Sequence, residues 1–135
     1  MNKLSYEEYL KDNGTLVYRN TGVSMLPLLN QGRDLFVVTK KTSKRCKKYD
    51  VVLFKRNNKY ILHRVIKVND NDYVTKGDNC VYAEQGVKDE DIIGVMTSFI
   101  RKGKEYSVSS LWYKLYSVLW TNLYFLRRVY QKFFM

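Results

Sequence analysis

Apolar and polar residues alternate in short blocks through the middle of the chain, then shift to a helical period near its end. Leu35-Phe36-Val37-Val38 reads as a strand, followed by Asp50-Val51-Val52-Leu53-Phe54-Lys55. The polar turn Arg56-Asn57-Asn58-Lys59 leads into a third strand from Tyr60 to Val68. The cluster Asn69-Asp70-Asn71-Asp72 turns the chain into a fourth strand at Tyr73-Val74-Thr75-Lys76. Asp91 to Ile100 and Lys104 to Val108 form a hairpin about Lys102-Gly103. Short strands at close spacing predict a coiled, antiparallel, mainly β architecture. Before it lies a polar segment, residues 1–20, with room for a short helix over Leu4–Lys11 that stops near Asn13-Gly14. The β region spans residues 21–108, and residues 109–135 form a separate aromatic, basic segment.

In that last segment Trp112, Tyr116, Leu119, Leu123, Leu126, Tyr130 and Phe133 recur at helical spacing, which predicts one amphipathic C-terminal helix. Lys114, Ser117, Thr121, Arg128 and Gln131 fall on another side. The uncharged run from Leu115 to Leu126 is 12 residues, whereas a bilayer span needs about 20. Two readings stay open. The helix lies in a membrane interface, or it packs on the β core or a second subunit.

Composition narrows the class. The 135 residues fit one domain, and 45% hydrophobic with 27% charged residues excludes a disordered chain. The net charge of +11 calls for an anionic partner, nucleic acid or membrane. Six cations crowd Lys40 to Lys48, a run that reads as a solvated loop, and no nucleic-acid motif accompanies it. Residues 111–135 hold four cations, nine aromatics and no acid, so the two excesses coincide there and favour a membrane surface over nucleic acid. Residues 1–20 contain no apolar run of signal-peptide length. Cys46 and Cys80 have no metal-ligand spacing, and with a single histidine no zinc site of the usual composition can form. No cofactor and no metal are expected, and reduced cysteines are the simpler reading.

Three short boxes carry candidate chemistry. Thr21-Gly22-Val23-Ser24-Met25-Leu26-Pro27 holds a serine between a glycine and a proline. In Tyr60-Ile61-Leu62-His63-Arg64-Val65 strand alternation places the sole histidine on the face of Ile61 and Val65. Lys76-Gly77-Asp78-Asn79, followed by Glu84, is by itself a turn. Taken singly these are a loop hydroxyl, a core histidine and a turn. A histidine titrating near neutrality is also the usual base for activating a serine.

In this order the boxes resemble the type I signal peptidases, a family in one clan with the self-cleaving repressors. The Ser-Met-x-Pro box is similar to Ser24-Met25-Leu26-Pro27, the Gly-Asp-x-Val strand to Gly32 through Val37, and the Asp-Val-Val strand to Asp50-Val51-Val52. His63-Arg64-Val65, Lys76-Gly77-Asp78-Asn79 and Ile92-Ile93-Gly94 match its later boxes, so the resemblance runs from about Thr21 to Lys104. A histidine in the base position resembles the Ser/His form of the endoplasmic reticulum, archaea and some Gram-positive bacteria. The resemblance implies a coiled β-sheet peptidase core that cleaves leader peptides. Ser24 would be nucleophile, His63 base and Asp78 the carboxylate that orients it. Glu84 stands where that form has a second aspartate. The Ser24 backbone N–H would be one oxyanion donor, and the substrate an extended peptide added to a sheet edge. The family usually carries a membrane-spanning helix before its serine. Residues 1–20 are too polar for one, so the enzyme is expected to be peripheral or anchored through Leu111–Met135. The competing readings are a self-cleaving regulatory domain, a basic non-catalytic binding module, and Cys80 acting as nucleophile with His63.

Overall fold

The computed structural model describes residues 5–134, with the side chains of 124–127 and 134 outside that description. Eight antiparallel strands form the body: β1 (Thr15–Arg19), β2 (Leu35–Lys40), β3 (Val51–Arg56), β4 (Lys59–Val68), β5 (Tyr73–Lys76), β6 (Glu84–Val87), β7 (Ile92–Arg101) and β8 (Lys104–Ser107). Their order in the sheet is β1-β2-β7-β3-β4-β5-β6, with β8 hydrogen-bonded to β7. The mainly β expectation is met.

The strands form for readable reasons. Asn57 and Asn58 take φ of 53° and 62°, and Lys102 and Gly103 take 52° and 80°. Both pairs supply the two left-handed residues of a two-residue hairpin turn, whose twist suits the flanking strands. β3 is apolar at four successive positions because both its faces are covered. Val51 and Leu53 join a larger core with Leu10, Leu16, Met25, Leu28, Leu29 and Phe99, while Val52 and Phe54 join a smaller one with Val65, Tyr73 and Ile92.

Helix α1 spans Tyr6–Asn13, capped by the Ser5 hydroxyl accepting from the Glu8 N–H at 3.1 Å. It buries Leu10. The expected helix began at Leu4, which lies outside the described residues. The β pattern begins at Thr15, but no separate strand is expected at β1 or β6: β1 is only five residues long, and Glu84-Gln85-Gly86-Val87 carries no apolar alternation.

The C-terminal segment departs from expectation in two ways. It is two helices, α2 (Leu111–Asn122) and α3 (Tyr124–Phe134), separated at Leu123. The face that α2 turns inward keeps Tyr116 of the expected stripe but is otherwise a different one. Tyr113 and Ser117 are buried, whereas Leu119, Leu123 and Phe133 are exposed. Leu126 and Met135 lie outside the description. The reason is what α2 packs against. Its partner is the buried charged pair Arg64–Asp78, so the helix presents polar-tipped residues instead of aliphatic ones. The run Lys40–Lys48 is likewise not simply solvated. Lys41 and Arg45 both pair with Asp89, and Arg45 also donates to the carbonyls of Asn69 and Asp70.

Candidate active site

Ser24 sits in the loop between β1 and β2. Met25, Leu28 and Leu29, each 1% exposed or less, bury the next turn in the larger core. Asn20 and Asp34 close the loop's base: the Asn20 N–H donates to the Asp34 carbonyl at 2.9 Å, and the Asp34 carboxylate accepts from the Asn30 N–H and the Arg33 guanidinium. The serine is thereby held half-buried on a fixed backbone.

His63 lies on β4, 7% exposed, its ring against the edge of Phe54. Its Nδ1 meets Glu84 Oε1 at 2.6 Å, and the same oxygen accepts from the Thr75 hydroxyl at 2.8 Å. Sheet register explains the reach. Thr75 on β5 pairs with Val65 on one side and Glu84 on the other, so the Glu84 side chain bridges over β5 to the histidine.

The catalytic role expected of Asp78 does not survive. Its carboxylate takes the Arg64 guanidinium in a two-pronged pair, Nε to Oδ1 at 2.8 Å and Nη2 to Oδ2 at 2.9 Å, with the Tyr116 hydroxyl adding a bond at 2.7 Å. Neighbours in a strand point to opposite faces, so His63 and Arg64 each claim a different carboxylate. Glu84 orients the histidine, and Asp78 neutralises the buried arginine. Arg64 is the residue the sequence reading missed. The signal was present in adjacent His-Arg on a strand with two acids downstream.

The turn from Gly77 to Cys80 lies against Ser24. The Asn79 N–H donates to the Ser24 carbonyl at 2.8 Å, and the Asn79 amide donates to the Val23 carbonyl at 3.1 Å. Gly77 is required here by space. A Cβ on it would stand 2.6 Å from the Ser24 carbonyl oxygen, 2.6 Å from Cys80 Sγ and 2.9 Å from His63 Nε2. Those three atoms therefore converge on a point that only hydrogen can fill. With Nδ1 held by Glu84, the hydrogen bond between His63 and Cys80 runs through Nε2. Ser24 and His63 open together on a groove of about 290 Å³ that Tyr6, Tyr18 and Tyr60 also line. Among the described residues nothing accepts the Ser24 N–H or bonds its hydroxyl.

Burial opposes a charge on His63, but the hydrogen bonds to Cys80 and Glu84 and the Glu84 charge outweigh it, raising the ring to about 9 from 6.5. Burial pushes Glu84 up, and the His63 bond more than reverses this, leaving its carboxyl below the usual range. The pair is charged at neutral pH. Its stabilisation on the histidine side is complete below pH 6.5 and is lost as pH rises through about 9. Because His63 is the one histidine of the chain, NMR titration of its ring reads this directly. A midpoint near 9 is expected, falling in Glu84→Gln; a wild-type midpoint at 6.5 would refute the pairing. Cys46 differs from Cys80. It is buried, and desolvation pushes its thiol up to about 11.

Among the described residues no His, Cys, Asp and Glu cluster could hold a metal ion. No described helix is long and apolar enough to cross a membrane. Compared with protein-family models, curated proteins and solved structures, the chain matches none.

Proposed function

We propose that the protein is a serine endopeptidase of signal-peptidase type, acting through Ser24, His63 and Glu84 on extended leader peptides. The observation that carries this reading is the opening of Ser24 and His63 on one groove, with Glu84 fixed on the far nitrogen of the ring. Once the ring loses a proton, near pH 9, Glu84 holds the remaining one on Nδ1, which leaves Nε2 as the base. Nε2 takes the proton from Ser24 Oγ as that oxygen attacks the peptide carbonyl carbon. The carbonyl oxygen becomes an oxyanion facing the unbonded Ser24 N–H. Collapse breaks the C–N bond, and the amine leaves with the proton from Nε2. Water then enters by the same exchange and releases the acyl group. β1 is an end strand of the sheet, and its Val17 and Tyr18 are exposed, 51% and 44%, beside the groove. An extended peptide can add to such an edge. Location at a membrane surface belongs to the same reading, supported by exposed Leu111, Leu115 and Leu119 on α2.

A second reading has its own support, since the group hydrogen-bonded to Nε2 is the Cys80 thiol. A thiol within reach of a histidine can serve as nucleophile in place of the serine. One labelling experiment separates the two. A fluorophosphonate probe at pH 9 is expected to label wild type and Cys80→Ala but neither Ser24→Ala nor His63→Ala. Peptide cleavage that survives Ser24→Ala and vanishes in Cys80→Ala would hand the chemistry to the thiol. Equal labelling of all four proteins would reject both.

A further inference from the structure

The largest of the described cavities, about 470 Å³, lies away from the groove, between Lys47–Val51 and the first turns of α2. Its lining divides in two. Lys47, Lys48 and Lys114 line its rim, all exposed, and no described carboxylate pairs with any of them. Asp50 is the one acid present, and its Oδ2 accepts the Lys47 backbone N–H at 2.8 Å. Apolar walls come from Met96, Val108 and Val118.

One wall is held fixed. The Tyr49 carbonyl, the Tyr113 hydroxyl and the Ser117 hydroxyl all accept from Arg64 Nη1, at 3.0, 3.3 and 2.7 Å. The cavity is therefore pre-formed. Beside it, Leu111, Leu115 and Val118 recur four and three residues apart on α2, at 83%, 57% and 41% exposure, and Lys114 falls on the same side. Lysines without a carboxylate partner (Lys48 lies over the Tyr49 ring at 5.2 Å), an apolar interior and an exposed apolar stripe suit a ligand that is both anionic and greasy.

We propose that this cavity binds the headgroup phosphate of an anionic phospholipid, with Lys47, Lys48 and Lys114 on the phosphate and the adjacent acyl chain against Val108 and Val118. The inference rests on the membrane-surface part of the functional reading, not on the peptidase chemistry. Charge complementarity selects the occupant: a net cationic rim suits a lipid anion, and the apolar interior favours a lipid over free phosphate. The three lysines stand next to the face of α2 that would meet the bilayer, where each cation adds to adsorption on an anionic surface.

The test is cosedimentation of the full chain with vesicles of phosphatidylglycerol or of phosphatidylcholine. Wild type is expected to prefer the anionic vesicles roughly 10²-fold. Lys47→Gln/Lys48→Gln/Lys114→Gln removes that preference. Lys102→Gln/Lys104→Gln, on the β7–β8 hairpin outside this cavity, keeps it. Inorganic phosphate at millimolar concentration leaves vesicle binding unchanged. Equal binding of wild type to both vesicles, or undiminished binding by the triple variant, overturns the site while leaving membrane association standing. Displacement by inorganic phosphate also overturns it, because the site would then recognise the free anion. Binding to neither vesicle overturns both the site and the membrane reading, and leaves the probe labelling untouched.

Discussion

Glu84→Gln is expected to lower kcat for peptide cleavage about 10⁴-fold, the cost that the matching carboxylate-to-amide change carries in serine proteases. The carboxylate accepts from Nδ1 at 2.6 Å and so, in the neutral ring, keeps the proton off Nε2. A glutamine amide can donate to Nδ1 instead, which moves the ring proton to Nε2 and leaves nothing to accept from Ser24. The charge that raises the ring also disappears, so the alkaline rise in activity moves to lower pH. Asp78→Asn is the control, since Asp78 bonds Arg64 and not the histidine. It should leave the pH profile in place. Steady-state kinetics from pH 6 to 10 on both variants decides the matter: a profile moved by Asp78→Asn and not by Glu84→Gln would reverse the two assignments.

Arg64→Met should cost about 3–5 kcal/mol of folding stability, the usual consequence of stripping one partner from a buried ion pair. Both side chains are essentially inaccessible, 1% and 2% exposed. Methionine leaves the Asp78 carboxylate with the Tyr116 hydroxyl but without its counter-charge, and it frees Ser117 and Tyr113 of their shared donor. Lysine is no remedy, because a single ammonium cannot reproduce the fork. Urea unfolding measures the effect. A loss below about 1 kcal/mol in Arg64→Met would mean that the pair is not the keystone of this contact.

Much of this architecture could be read from residue pattern, and the failures share a cause. β2, β3, β4, β5 and β7 announced themselves by apolar periodicity between turn residues, because each buries at least one face, and β8 by the Lys102-Gly103 turn before it. β6 did not, because Glu84 and Thr75 meet over the histidine and not over an apolar layer. The sequence boxes located Ser24 and His63, but spacing could not say which acid would reach the ring. That depends on the turn at Gly77–Cys80 and on the pairing of Thr75 with Glu84. The inward face of α2 misled for a related reason. Periodicity assumes that helices bury grease, whereas this one buries hydroxyls and an indole N–H against a charged pair.

That helix has a consequence for when the site comes into being. Trp120 Nε1 donates to the Asp78 carbonyl at 2.7 Å, and the Gln131 amide donates to Asn79 Oδ1 at 3.2 Å, one residue from the Cys80 that meets His63. Every clamp that α2 and α3 supply to this turn is encoded after Ser24, His63 and Glu84. Chains are built from the N-terminus and their parts fold in that order. A ribosome that has finished Glu84 has made Ser24, His63 and their partner acid, yet not the segment that steadies the turn between them. The order of synthesis thus delays completion of the site until α2 and α3 have been made.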